Sequence, residues 1–283
     1  MKLSVITINY NNCDGLRKTI ESVVNQTWRD FEYIIIDGGS TDGSLDVIKE
    51  FADQIDYWVS EPDKGIYNAL NKGVAVATGE YCNFMNSGDC FCEDTTLEKV
   101  FAVNSFSDLI CGNTLTPDYT KKAPSEITFQ FLFNFAICHQ CAFIRTSLMK
   151  KYGYDEKYKI VADRKFFVQA LLFDNCKYEA IDVDVVSYDV TGFSAVNALA
   201  SRIEYECVLS ELIPKRIMVD YGRYFHGDLY GNASDFDRLF IDIRKRRYAK
   251  PIYTLVKVIL QMLSVFIPSA RFIRIYPWKI SGK

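Results

Sequence analysis

The run Leu3-Ser-Val-Ile-Thr-Ile-Asn-Tyr-Asn-Asn12 decides the architecture: a strand-forming segment, Leu3 to Ile8, stops abruptly at polar, turn-forming residues. The same pattern recurs at Tyr33-Ile-Ile-Ile36, which runs into Asp37-Gly-Gly-Ser-Thr-Asp-Gly43. It recurs again at Tyr81-Cys-Asn-Phe-Met85, which runs into Asn86-Ser-Gly-Asp89. Apolar runs of this length, separated by helical segments, read as strands buried on both faces of a parallel sheet. Ligands of open α/β sheets bind outside the carboxyl ends of the strands. Tyr10, Asp37 and Asp89 are therefore delivered to one edge, and that edge is a candidate site.

Helical spacing fills the intervals. Asp14 to Asn25 places Leu16, Ile20, Val23 and Val24 on one face, and Ser44 to Phe51 does the same with Leu45, Ile48 and Phe51. Ile55 to Val59 predicts a short strand and Ile66 to Ala77 a third helix. A helix near Thr95 to Val103 and a strand near Leu109 to Cys111 follow. Thr116 to Ser125 reads as a loop of turn residues and lysines. Phe129 to Phe135 is aromatic enough for core or for an acceptor-side wall, with core the default reading. Lys177 to Val190 predicts two strands, and Val196 to Leu212 a helix.

The class of ligand follows from what the first turn lacks. A dinucleotide site needs G-x-G-x-x-G so that backbone amides can cradle a pyrophosphate. Here the turn is Asn9-Tyr-Asn-Asn-Cys-Asp-Gly15, with neither the glycine pair nor a Walker lysine. A diphosphate would need neutralising by a divalent cation on a carboxylate. Asp89 is placed to hold that cation, which leaves Asp37 to accept hydrogen bonds from a base or ribose. The bland alternative makes each Asp a turn or helix-cap residue.

Ser4-Val-Ile-Thr-Ile-Asn-Tyr-Asn11, Asp37-Gly-Gly-Ser-Thr-Asp-Gly43, Ala77-Thr-Gly-Glu-Tyr81 and Asn86-Ser-Gly-Asp89, in this order and spacing, resemble the inverting family 2 glycosyltransferases. Ser60-Glu-Pro-Asp-Lys-Gly-Ile-Tyr67 resembles a subgroup that includes colanic-acid-type exopolysaccharide enzymes. The resemblance is dense from residue 3 to about 90 and sparser to about 195. It implies a GT-A fold of the α/β class: a Rossmann-like nucleotide-binding half with a mixed central sheet, plus a C-terminal helical extension. The implied division is a catalytic domain over 1–195, with a nucleotide-sugar half (1–112) and an acceptor half (113–195), and an extension over 196–283.

Site roles implied by the resemblance carry over position by position. Thr7, Asn9 and Tyr10 match the segment that packs on the nucleobase, and Asp37 the carboxylate that reads it. Asp63, Lys64 and Asn71 match the lining of the nucleotide pocket. Asn86-Ser-Gly-Asp89 stands where the family keeps a D-x-D-D metal motif. The first and third carboxylates are Asn86 and Gly88 here, so Asp89 remains to bind Mn²⁺ or Mg²⁺, while Asn86 can hydrogen-bond a ribose. Leu70 replaces a common Arg, and Gly38 a second Asp. His139 and Gln140 match a position near the donor or acceptor sugar, and Thr191-Gly-Phe-Ser194 a loop beside the acceptor. Ile160-Val-Ala-Asp-Arg-Lys-Phe-Phe167 matches the segment of the catalytic base, which is then Asp163. Inverting transfer needs one carboxylate to deprotonate the acceptor hydroxyl. The alternative makes Asp163 the N-cap of the helix that follows.

Cys138-His-Gln-Cys141 has C-x-x-C spacing, but zinc needs two further ligands, and Cys90-Phe-Cys92 makes a poor half-site. A thioredoxin-like motif would open a helix after an early strand, whereas this one precedes Ala142-Phe-Ile144. His226 has no partner pattern and reads as structural or solvent-facing.

Composition supports a substantial core: 283 residues, 49% hydrophobic and 14% aromatic, suit one large domain or a catalytic domain with an appendage. Nine scattered cysteines and a start, Met1-Lys-Leu-Ser4, without a secretory pattern predict reduced thiols in the cytoplasm. Charge is divided unevenly. Arg244 to Lys283 carries ten Lys/Arg and no Asp/Glu, so the other 243 residues hold 23 basic and 36 acidic groups, a net of −13. Arg244-Lys-Arg-Arg247 precedes the apolar stretch Ile252 to Ile267, broken by Lys257 and Gln261. Sixteen residues fall short of the ~20 that span a bilayer. Cation-flanked apolar residues suit a helix lying on an anionic membrane surface, at the inner face of the plasma membrane. The alternative is a helix packed on the domain or on a homodimer partner. Nucleic-acid binding is not expected, because no reading motif accompanies the basic run.

The resulting expectation is a bacterial surface-polysaccharide enzyme that uses a nucleotide-diphosphate sugar donor and a lipid-linked saccharide acceptor. A nucleotidyltransferase would carry a glycine-rich basic loop after the first strand, which is absent. A non-catalytic partner subunit that binds nucleotide sugar is the stronger rival, because the metal motif is depleted.

Overall fold

The computed structural model describes residues 1–116, 119–187 and 198–225. The chain separates into two compact units, Met1–Leu212 and Ile213–Lys283. The described part of the second holds one helix, Lys215–Phe225. Thr191 to Ser194, His226, Arg244 to Arg247 and Ile252 to Ile267 lie outside the described residues.

In the first unit the expected parallel strands form. β1 (Leu3–Asn9) pairs with β2 (Phe31–Asp37) and with β4 (Tyr81–Phe84), and β2 pairs with β3 (Tyr57–Ser60), all in parallel. Every residue of β1 is buried, as both-face coverage by helices requires. The interleaved helices are α1 (Cys13–Val24), α2 (Ser44–Glu50) and α3 (Ile66–Val76). α1 buries Leu16, Ile20, Val23 and Val24, the face read from its spacing. α3 approaches β1 so closely that a Cβ on Gly73 would lie 2.4 Å from Ile6 Cγ2.

Beyond β4 the sheet turns mixed, in the order β3-β2-β1-β4-β8-β6-β9-β5, with β7 also on β6. Here β5 is Cys90–Phe91, β6 Leu109–Leu115, β7 Thr120–Lys121, β8 Ala142–Arg145 and β9 Tyr178–Ser187. β8 runs antiparallel to both β4 and β6, and β9 parallel to β6. The helices here are α4 (Thr96–Ala102), α5 (Phe129–Asn134), α6 (Thr146–Tyr152), α7 (Ala162–Val168) and α8 (Ala198–Leu212).

Several expectations are corrected. In the described part of Lys177 to Val190 there is one ten-residue strand, β9, where two were expected; no Gly, Pro or Asn interrupts Tyr178 to Ser187, and the irregularity is absorbed as register shifts against β6. Within the stretch read as a loop, Thr120 and Lys121 extend the sheet by pairing with β6. The helix expected at Thr95 to Val103 is the shorter α4.

Ala77-Thr-Gly-Glu-Tyr81 proves to be a structural joint. The buried Glu32 carboxylate accepts hydrogen bonds from Ser4 Oγ, Thr78 N, Thr78 Oγ1 and Gly79 N. Burial pushes Glu32 up, but these donors outweigh it and hold the carboxyl below its ordinary value. At Gly79 a Cβ would sit 2.5 Å from the Leu3 carbonyl carbon, so only glycine allows the turn to reach β1.

α8 falls within the first unit, Met1–Leu212. Its Glu204 carboxylate accepts from the backbone N–H groups of Lys159 and Ile160, and Tyr205 Oη donates to Leu132 O at 2.6 Å. Glu211 accepts from Tyr158 Oη and from the buried Lys165, whose Nζ also lies 2.7 Å from Asp155. These bonds tie α8 to α5, to α7 and to the segment that enters α7. Bonds from Lys165 and Tyr158, working against burial, bring the Glu211 carboxyl from 4.5 down to about 2. A carboxyl lowered on folding stabilises fully above its unfolded value and loses that contribution as the pH falls through the folded one. Glu211→Gln is therefore expected to flatten the loss of stability between about pH 4.5 and 2, measured by urea unfolding across that range. At neutral pH it should lower stability by about 1 kcal/mol, since Glu211 is partly solvent-screened.

Candidate active site

The strand ends bring Asn9, Asp37 and Ser60 into line across β1, β2 and β3. Asp37 is fully enclosed there. Its carboxylate accepts from Asn9 Nδ2 (2.8 Å), Ser40 Oγ (2.6 Å), Ser40 N (2.9 Å), Ser60 Oγ (2.6 Å) and Gly39 N (3.2 Å). Burial pushes its acidity down, and the Ser40 and Ser60 bonds more than reverse this, keeping it below the ordinary carboxylate range. In this geometry Asp37 organises the loop after β2, and no open face is left for a base.

Other expected nucleotide residues divide in the same way. Thr7 is buried, donating to Met85 O at 2.8 Å with Tyr33 Oη 3.1 Å away, so it joins β1 to the end of β4. Asn9 is buried and spends its amide N–H on Asp37 and Ser40. Asn71 clamps the chain after α6, donating to Tyr154 O and accepting from Tyr154 N, both at 2.8 Å. Leu70 is core. Tyr10, by contrast, is 67% exposed, and in the loop after β3 Asp63 is half-buried and Lys64 exposed. Asp63 Oδ1 accepts from Gly65 N at 2.7 Å.

A second group gathers where β4, the turn before β8, and α7 meet. Asp163 lies in the first turn of α7, with Val161 rather than Asp163 at the N-cap. Tyr67 Oη, on α3, stands 2.9 Å from Asp163 Oδ1 and 2.7 Å from Ile160 O. His139 Nδ1 is 3.4 Å from Asp163 Oδ2, and its Nε2 is 3.0 Å from Asn86 Nδ2. Gln140 Nε2 donates to Asp89 Oδ2 at 2.9 Å. Asp163, His139, Gln140, Asn86 and Asp89, far apart in sequence, thus form one constellation. Burial pushes the His139 imidazole down, and Asp163 beside it more than compensates, so it holds its proton above the ordinary 6.5.

Sequence pattern gives Tyr67 no role at the site, because α3 places it one turn from the core residue Leu70, where a tyrosine reads as packing. Its ring does pack, against Tyr154 at 5.3 Å, while its hydroxyl reaches Asp163. Tyr67→Phe is expected to lower turnover by about tenfold, less than the ~10² of a 1 Å misplacement, with donor KM unchanged in steady-state kinetics.

The Cys138 to Cys141 segment serves Gln140. Cys138 Sγ donates to Gln140 Oε1 at 3.0 Å, and Cys141 lies 3.5 Å from Cys111 as a free thiol. Among the described residues no three His, Cys, Asp or Glu converge as a metal cage.

With this geometry in view, the comparison with known proteins is decisive. The model of glycosyl transferase family 2 matches residues 4–153. The chain belongs to glycosyl transferase family 2. Among family 2 relatives, an uncharacterized glycosyltransferase of Mycobacterium tuberculosis is 34% identical over 200 residues, 67% of this chain and 76% of that one. A PGL/p-HBAD biosynthesis glycosyltransferase of Mycobacterium bovis is 31% identical over 197 residues, 67% and 77% of the respective chains. Of solved structures, S. aureus TarS 1-349 in complex with UDP superposes with a TM-score of 0.57 at 22% identity, covering 66% of this chain. This chain spans about three fifths (60%) of the length of that structure. A mannosyltransferase from Pyrobaculum calidifontis in complex with GDP-Man and Mn²⁺ gives 0.53 at 15% identity, over 67% of this chain and 57% of that one. These likenesses show a GT-A-like fold, and family membership makes the protein a sugar transferase.

Proposed function

We propose that this family 2 enzyme moves a sugar from a nucleotide-diphosphate donor to an acceptor hydroxyl with inversion, in bacterial surface-polysaccharide assembly (exopolysaccharide, capsule or O-antigen). One observation carries the reading: a continuous set of contacts, Tyr67–Asp163–His139–Asn86, links the carboxylate on α7 to the strand end that bears Asp89. A base and a diphosphate-side group are thereby held in one frame. The acceptor hydroxyl gives its proton to the Asp163 carboxylate as its oxygen bonds to the anomeric carbon. The anomeric C–O bond breaks on the opposite face, and its electron pair leaves with the nucleoside diphosphate. Tyr67 orients the carboxylate, and His139 and Gln140 fix the two groups relative to each other.

The residues present suit a hard divalent cation. Asn86 Oδ1 is a buried acceptor with no hydrogen-bond partner, three positions before the buried Asp89 carboxylate. Mg²⁺ or Mn²⁺ takes such oxygens together with substrate phosphates. Asp89, with Asn86, would hold the ion, which supplies positive charge for the departing diphosphate. The relative solved with GDP-Man and Mn²⁺ is consistent with this.

Mass spectrometry and NMR of products from a panel of nucleotide sugars and lipid-linked acceptors test the proposal. An inverted anomeric centre is the expected result, and a retained one overturns inversion. Nucleotide-sugar binding without turnover across the panel would favour the non-catalytic partner subunit instead.

The acceptor side of the proposal places the enzyme peripherally on the inner face of the plasma membrane. Its support is the charge division after Asp242. Among the described residues no helix is long and apolar enough to cross a membrane. Changing Arg244, Lys245, Arg246 and Arg247 to Glu is expected to release the protein from anionic liposomes, each cation being worth up to about 1 kcal/mol. Transfer to a short soluble acceptor should be spared. Cosedimentation at low salt checks this, and a charge-reversed protein that still sediments would assign the segment to packing or to a homodimer contact.

A further inference from the structure

Asp37 occupies the position expected to read the base, yet it is enclosed and saturated by protein donors. One residue on, Gly38 offers no side chain. A Cβ at that position would lie 2.6 Å from Asp63 Oδ2 and 3.1 Å from Tyr10 Cδ2. The Asp63 carboxylate and the Tyr10 ring therefore both border the space over the Gly38 backbone, which any larger residue would fill.

The loop is built for this approach. Glu61 N donates to Asp37 O at 3.0 Å, which ties the segment after β3 to the end of β2. Gly39 has φ +82°, and a Cβ there would meet Pro62 N at 3.3 Å, so paired glycines let the two loops touch. Gly65, at φ +116°, turns its N–H back onto Asp63 Oδ1 at 2.7 Å and fixes the carboxylate. Oδ2 makes no hydrogen bond among the described residues, while Tyr10 as a residue is 67% exposed. A stacking ring beside one fixed, open carboxylate oxygen is a receptor for a flat heterocycle with a single N–H on its edge.

We propose that Asp63, rather than Asp37, reads the nucleobase, and that it selects the N3–H edge shared by uracil and thymine. Guanine presents two adjacent donors, N1–H and the 2-amino group, and the second would have to share Oδ1 with the Gly65 N–H, which weakens its bond. Cytosine and adenine set a ring-nitrogen acceptor beside their amino donor, and that lone pair faces the carboxylate. The inference deepens the nucleotide-sugar reading above and rests on it.

Titration calorimetry of the full chain with UDP, dTDP, GDP, CDP and ADP tests it. Wild type should bind UDP and dTDP at least about tenfold more tightly than the other three, the size of one hydrogen bond to a charged group. The UDP-to-dTDP ratio separates the two sources of the shared edge through the 5-methyl and 2′-hydroxyl groups. Asp63→Ala should lower UDP affinity about tenfold and leave GDP affinity unchanged, erasing the preference. Gly38→Ala, whose methyl displaces the carboxylate, should do the same with the fold intact by circular dichroism. If Asp63→Ala keeps the wild-type preference, or weakens all nucleotides equally, Asp63 does not read the base, and the transferase reading survives. If wild type binds no nucleoside diphosphate, the nucleotide-sugar reading falls first and takes this inference with it.

Discussion

Asp163→Asn is expected to cut turnover by about 10²–10⁴, the contribution of a positioned general base, with donor affinity nearly unchanged. The substitution is isosteric. An Asn oxygen still accepts from Tyr67 Oη, which stands 2.9 Å from Asp163 Oδ1, so α7 and the segment before it should keep their places. What is lost is the ability to take the acceptor's proton at neutral pH. Steady-state kinetics with separate donor-binding measurements separate the two effects. Retention of more than about a tenth of wild-type turnover would move the role of base to another residue.

Asp89→Ala is expected to lower transfer by about 10²–10³, through loss of charge stabilisation on the leaving group. Because Gln140 Nε2 donates to Asp89 Oδ2, the alanine variant also leaves that buried amide without its partner. Asp89→Asn is the control: it keeps an acceptor for Gln140 and removes only the charge, and it should be nearly as inactive. Asn86→Ala should instead mainly weaken donor binding. Titrating Mn²⁺ or Mg²⁺ against activity tests the premise, and full activity in excess chelator would sink it.

The parallel half of the sheet was legible because β1, β2 and β4 are written as continuous apolar runs, and a run buried on both faces has no other stable home. The ends of those runs also located Asn9, Tyr10, Asp37 and Asp89 at one edge. The mixed half was harder to read. β5 and β7 are two residues long, too short for any periodicity, and exist because neighbouring strands offer open backbone groups. The unbroken β9 and the attachment of α8 through Glu204, Tyr205 and Glu211 likewise depend on partners more than forty positions away.

Residue type and strand position by themselves determined the fold class, the sheet edge of the candidate site and the set of polar residues near it. Only the tertiary structure decided which of those residues face inward. The sequence pattern gives Asp37 the role of reading a base and Asp63 a place in the pocket lining, but five protein donors surround the first, while the second keeps an oxygen without a protein donor near Tyr10. The same holds for Tyr67, whose helical spacing marks it as core while its hydroxyl reaches Asp163. Hydrogen-bond saturation is a property of three-dimensional neighbours, so a sequence can bring a carboxylate to the site but cannot say whether its lone pairs are already taken.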